Sequence, residues 1–252
     1  MLLGGSNFDL RLKRQFLDTA LAQKFEILTY EPRGIGRSAQ PQGEWTMADY
    51  AADALALMDA VGWEQANVLG ESFGGMTALH LAHHFPERVA KLALASTTAG
   101  GAGGSSVDIS RLLDMPGRLA ATEALKLLDT ENIEVAASDP SEFETRVSNR
   151  LMLEETFYDP SVISGGYRRL LAARAGHDIW EGLHDITQET IVITGARDAQ
   201  APPEAQNAMA ERLPNAEEWV YEYGHGVAFA TEAPMQALCS SWAAQAKREV
   251  GT

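Results

Sequence analysis

The chain has 252 residues and one cysteine, Cys239, and its 20 Lys plus Arg face 35 Asp plus Glu, for a formal net charge of −15. Such an acidic chain as a whole repels nucleic acid and anionic membrane, and a single cysteine excludes an internal disulfide. With 45% hydrophobic residues at this length, a core forms without a disulfide or a structural metal.

The start, Met1-Leu2-Leu3-Gly4-Gly5, lacks the charged and long apolar regions of a secretory signal. No run approaches the roughly 18 consecutive apolar residues of a membrane span. The expected location is therefore cytoplasmic. After a short strand at Met1 to Leu3, Phe25 to Tyr30 reads as a second strand. Met47 to Val61 reads as a helix with Ala51, Leu55 and Met58 on one face, stopped at Gly62. Asn67 to Gly70 is a strand ending in glycine, Ser72 to Phe85 a helix closed by Pro86, and Lys91 to Ala95 another strand. Gly100 to Ser106 reads as a flexible entry loop. From Val107 to Leu183 the pattern is helical without a convincing strand. Strand and helix then alternate again: Thr190 to Thr194, Glu204 to Leu213, Glu218 to Glu222, Pro234 to Lys247. This rhythm predicts a mostly parallel α/β sheet of about six strands, covered on both faces. The core is residues 1–106 and 184–252, and the helical insertion is residues 107–183.

Gly70-Glu71-Ser72-Phe73-Gly74 fits G-x-S-x-G. The bare pattern is weak, but here it follows a strand and opens a helix. That tight turn demands glycines and leaves a serine Oγ exposed at the carboxyl end of a strand. The helix N-terminus beneath it favours developing negative charge.

Together with four other stretches, this motif makes the chain resemble an α/β-hydrolase over essentially its full length. Glu31-Pro32-Arg33-Gly34-Ile35-Gly36-Arg37-Ser38 resembles the family's D-x-R-G-x-G-x-S turn, with Glu31 where Asp is usual. Phe85-Pro86-Glu87-Arg88-Val89 resembles P-E-R-V after the nucleophile helix. Thr194-Gly195-Ala196-Arg197-Asp198 resembles the stretch carrying the triad acid, and Gly224-His225-Gly226 the one carrying the catalytic histidine. The resemblance implies Ser72 as nucleophile, His225 as base and Asp198 as acid, in the chain order this fold uses. It places the oxyanion-hole donors at the N–H of Phe73 and of Gly5, with Ser6 as the other register for the second donor. The family often has His-Gly in that loop, whereas this chain has Leu3-Gly4-Gly5-Ser6. The family normally has a hairpin ahead of the first strand; here either the sheet lacks those strands or the start is truncated, and Phe25 to Tyr30 is then expected at a sheet edge. An uncovered edge invites pairing, and a homodimer is one remedy.

Other patterns carry less. His80 and His84 have the spacing of a zinc helix, but Leu81 stands where H-E-x-x-H needs Glu, so no metal site is expected. Gly34 to Ser38 lacks the third glycine of a dinucleotide fingerprint. Cys239 reads as a packing residue. Phe157, Tyr158, Tyr167 and Trp180 fit either core or the lining of a pocket under the insertion.

The expected function is cofactor-independent hydrolysis of a small carboxylic ester or lactone through an acyl-enzyme on Ser72. The stretch Glu31 to Val89 is most similar to 3-oxoadipate enol-lactonases and their esterase relatives. A C–C bond hydrolase, or a cofactor-free haloperoxidase or perhydrolase, would use the same triad. A non-catalytic ligand-binding member of the fold is the remaining alternative. The expected partner is a small-molecule substrate.

Overall fold

The computed structural model describes residues 1–11, 17–157 and 163–249. In chain order the elements are β1 (Leu2–Leu3), α1 (Met47–Ala60), β2 (Ala66–Glu71), α2 (Phe73–His84) and β3 (Val89–Ala95). Then come α3 (Gly117–Leu128), α4 (Glu131–Ser138), α5 (Pro140–Phe157) and α6 (Arg168–Ala175). The chain closes with β4 (Glu189–Gly195), α7 (Pro203–Arg212), β5 (Ala216–Tyr221), α8 (Val227–Ala230) and α9 (Glu232–Glu249). Among the described residues no helix is long and apolar enough to cross a membrane.

The five strands form one parallel sheet in the order β1-β2-β3-β4-β5. Side-chain alternation divides its two faces. Leu3, Val68, Leu92, Leu94 and Val192 pack under Ala54 and Met58 of α1, Leu79 of α2 and Met209 of α7. Leu2, Leu69, Ala93, Ala95, Ile191 and Ile193 pack on the other face under Leu21, Val227, Leu238 and Trp242.

About six strands are expected, and five form among the described residues. Phe25 to Tyr30 contributes one isolated bridge, Thr29 to Leu2, with the Leu2 N–H donating to the Leu28 carbonyl at 2.9 Å. Strand β1 has only two residues to offer, so no longer ladder can form beside it. The bridge still fixes topology. Thr29 lies on one side of β1 and β2 on the other, so the strand order reverses at β1. Ligands bind at such a switch point, beyond the carboxyl ends of the strands.

The glycine run is a packed turn with a 3-10 segment at Gly101–Gly103. Gly100 and Gly104 have φ of 75° and 95°. A Cβ on Gly103 would collide with the Trp180 ring. These glycines serve left-handed backbone and close approach rather than a loose spacer. Trp180 packs against the core, under the Arg212 guanidinium at 4.6 Å. Ile179 and Leu183 join that same core cluster.

The helices of the insertion have an apolar centre of their own at Ala121, Phe143 and Val147. A second cluster joins insertion to core: Ile109, Leu170, Leu171 and Ala173 pack with Ile35, Trp45, Tyr50, Phe73 and Met76. Leu112 and Leu113 pack against that cluster, whereas Leu119 is exposed. Tyr158 lies outside the described residues.

Candidate active site

Strand β2 delivers the chain into a turn at Ser72, whose backbone sits at φ 53°, ψ −118°. A serine at positive φ is strained, so the surroundings must impose it. The Ser72 N–H donates to the Ala95 carbonyl at 2.8 Å, and its carbonyl accepts from Thr97 Oγ1 at 2.8 Å. Gly74 permits the next step. A Cβ there would lie 2.1 Å from the Leu3 carbonyl oxygen, so any other residue would push helix α2 off β1.

His225 follows β5 in a loop whose backbone is tied twice. Its N–H donates to the Leu128 carbonyl at 2.5 Å, and the Gly226 N–H donates to Ser96 Oγ at 3.0 Å. The ring then spans two partners. His225 Nε2 stands 2.9 Å from Ser72 Oγ, and Nδ1 stands 2.9 and 3.1 Å from the two oxygens of Asp198.

Asp198 lies just past β4 and is 1% exposed. Its Oδ1 accepts from the Gln200 N–H at 2.9 Å and the Ala201 N–H at 2.8 Å. Oδ2 accepts from Gln206 Nε2 at 3.4 Å. These bonds fix the orientation of the buried carboxyl group. A carboxylate facing Nδ1 fixes the proton there and leaves Nε2 with a lone pair toward the serine.

The loop after β1 brings Gly5 beside the serine, where an added Cβ would be 3.7 Å from Ser72 Cβ. Phe73 opens α2, so its N–H belongs to the first turn, which has no helical acceptor. Among the described hydrogen bonds, neither the Gly5 nor the Phe73 N–H donates to the protein. Glu31 sits elsewhere. Buried, it accepts from the Leu10 N–H at 3.2 Å and the Arg37 N–H at 2.7 Å, and so ties its turn to the segment after the Gly5 loop.

Ser72 and His225 open into a cavity of about 480 Å³. One wall is apolar: Ile35, Ile109, Leu112, Leu113, Met115, Ala124 and Tyr167. Ser6, Asn7, Asp9, Arg11, Glu71, Arg150, Glu154 and Gln200 supply the polar lining. Arg150 Nε donates to Glu154 at 2.8 Å, and Arg11 Nε to Asp9 at 2.9 Å, so both cations face carboxylates.

Thus Ser72, Asp198 and His225 come together, with Gly5 and Phe73 beside them. Sequence reasoning missed Gln200, Gln206, Ser96 and Thr97. A single serine, threonine or glutamine carries no motif, so only the spatial neighbourhood reveals these. His80, half-buried, and His177, buried, form a separate pair, with His80 Nε2 3.2 Å from His177 Nδ1. Among the described residues no group of three or more His, Cys, Asp or Glu could hold a metal ion.

A family model described as the alpha/beta hydrolase fold matches residues 2–230. The chain belongs to the α/β-hydrolase family. It is 32% identical over 216 residues to a protein of Caulobacter segnis named "Putative carbamate hydrolase RutD", covering 82% of this chain and 77% of that one. It is 29% identical over 218 residues to 2-hydroxymuconate semialdehyde hydrolase of Pseudomonas putida, covering 81% and 72%. Among solved structures, the enol-lactonase from Burkholderia xenovorans LB400 superimposes with a TM-score of 0.74 at 25% identity, covering 96% of this chain and 88% of that one. As an α/β-hydrolase with hydrolases among its homologues, the chain is a hydrolase.

Proposed function

We propose that this α/β-hydrolase is a cofactor-independent serine hydrolase that cleaves a small carboxylic ester or lactone through an acyl-enzyme on Ser72. The observation that carries this reading is the unbroken chain Ser72 Oγ, His225, Asp198 at the mouth of the cavity. In the proposed reaction Ser72 Oγ attacks the carbonyl carbon while its proton passes to His225 Nε2. The charged imidazole is stabilised by Asp198. The carbonyl oxygen becomes an oxyanion, and the Gly5 and Phe73 N–H groups are its donors. His225 then gives its proton to the leaving oxygen. Water, losing a proton to the same nitrogen, releases the acid and restores Ser72.

The cavity favours an acyl group of modest size with an apolar body. One wall is apolar, and the two lining arginines face carboxylates of the protein itself. The segment 107–183 is proposed as the cap that shapes this wall. The supporting fact is that Ile109, Leu112, Met115 and Tyr167 line the same space as Ser72.

A second reading is hydrolysis of a C–C bond, favoured by the similarity to 2-hydroxymuconate semialdehyde hydrolase. It uses the same serine, base and acid and differs in the substrate the cavity accepts. A panel of p-nitrophenyl esters, aliphatic lactones and vinylogous diketones separates the two, with Ser72→Ala as control. Ser72-dependent turnover of esters or lactones is expected. Ser72-dependent turnover of the diketones alone would replace the first reading with the second.

A further inference from the structure

The nitrogen of His225 that faces Ser72 has a second partner. Gln200 Nε2 lies 2.9 Å from His225 Nε2, the same distance as Ser72 Oγ. With Asp198 holding the proton on Nδ1, Nε2 is an acceptor with one lone pair in the ring plane. The carboxamide therefore presents its N–H to it, and two donors converge on one lone pair.

Gln200 is held for this position. It is 7% exposed and lines the cavity with Ser72. Its backbone N–H donates to Asp198 Oδ1 at 2.9 Å, and its carbonyl accepts from the Val107 N–H at 2.8 Å. The Val107 carbonyl in turn accepts from the buried Arg174 Nη1 at 2.8 Å. The side chain starts from a fixed backbone and reaches the one nitrogen through which every proton of the proposed reaction passes.

We infer that Gln200 is a further catalytic residue: its carboxamide N–H holds the leaving oxygen during acylation and the attacking water during deacylation. This inference rests on the serine-hydrolase reading above. In acylation the bond from carbon to the leaving oxygen breaks, and that oxygen takes the proton from His225 Nε2. It must stand within bonding distance of Nε2, where the Gln200 N–H also points. In deacylation water stands in the same place. It donates one proton to His225 Nε2, accepts from Gln200 Nε2, and forms the new bond to the acyl carbon; the bond to Ser72 Oγ then breaks as Oγ takes the proton back from His225 Nε2. Two anchors fix one small molecule in an attacking position.

The test is steady-state kinetics of Gln200→Met, similar in length but without a donor, on two esters of one acid. A p-nitrophenolate leaves without help, whereas an ethoxide needs it. With p-nitrophenyl butyrate, kcat should fall about tenfold while kcat/KM, which reports acylation, stays within about twofold. With ethyl butyrate, kcat/KM should also fall about tenfold. Gln200→Glu keeps the length, cannot donate when ionised, and should share the deacylation defect; it serves if the Met variant does not fold. An unchanged kcat on the p-nitrophenyl ester, or an equal loss of kcat/KM on both esters, would overturn the role. Ser72→Ala is run beside them. If the native protein shows no Ser72-dependent turnover of either ester, the hydrolase reading fails and this inference fails with it.

Discussion

At the level of single residues, the proposed mechanism depends on a buried carboxylate, Asp198, which is 1% exposed. Asp198 satisfies two backbone N–H groups and one imidazole, so Asp198→Asn would leave the ring's tautomer unfixed and its charged form without a partner. The expected outcome is a fall in kcat of about 10⁴-fold on any Ser72-dependent substrate, with the fold retained by circular dichroism. A loss smaller than about tenfold would point to a different acid. Gly74 makes a structural prediction. Gly74→Ala places a methyl group 2.1 Å from the Leu3 carbonyl oxygen, which is backbone and cannot rotate away. The variant should lose about 1–3 kcal/mol or more in denaturant unfolding. It should also lose activity, because the displaced segment carries Gly5.

Among the elements, the insertion and the candidate triad are mechanically joined. The carbonyl ending α3 accepts from the His225 N–H, the Thr130 N–H donates to the Arg197 carbonyl at 3.0 Å, and Arg197 Nε binds Asp129 at 2.9 Å. Helix α3 is thus anchored to both the loop of Asp198 and the loop of His225. Exchanging Leu112 and Leu113 for alanine widens the apolar wall without touching these ties. The ratio of kcat/KM between butyryl and acetyl p-nitrophenyl esters should shift by roughly 10–200-fold. A ratio that does not move would mean that these residues do not face the acyl group. The core elements were legible in the sequence, because β2, β3 and β4 are short, largely apolar β-prone runs and the helices after β1 and β2 end at Gly62 and before Pro86. The elbow at Ser72 was legible for the same reason: only a strand-turn-helix needs glycine at both Gly70 and Gly74. What was not legible depends on partners. Phe25 to Tyr30 has strand composition, but its neighbour β1 is two residues long. The glycine run reads as a spacer until Trp180 and His177 are seen against it. Gln200 reads as an ordinary polar residue in a turn until the fold sets its side chain on His225.

For the whole molecule, stability should depend on pH through two imidazoles outside the candidate triad, His177 buried and His80 half-buried. His177 Nε2–H donates to the Thr98 carbonyl at 2.9 Å, and its Nδ1 accepts from His80 Nε2. Burial lowers the pKa of His80 to about 3 and that of His177 to about 4. Both are neutral in the fold, whereas in the unfolded chain they titrate near 6.5. The unfolded state therefore binds more protons between these values. The stabilisation is complete above about pH 6.5 and is lost as pH falls toward 4, on the order of 2 kcal/mol per imidazole by pH 5. Tm measured from pH 7.5 to 4.5 should drop below about 6.5, and His177→Gln should flatten that drop. Equal slopes in both proteins would exclude the pair as the cause. The central claim, however, is that Ser72 is a nucleophile activated by His225. The most direct measurement is intact-mass and peptide analysis after brief exposure to a fluorophosphonate. The account predicts one adduct per chain, on the peptide containing Ser72, absent in Ser72→Ala and much slower to form in His225→Ala. No adduct on the folded native protein, or an adduct that survives Ser72→Ala, would contradict it.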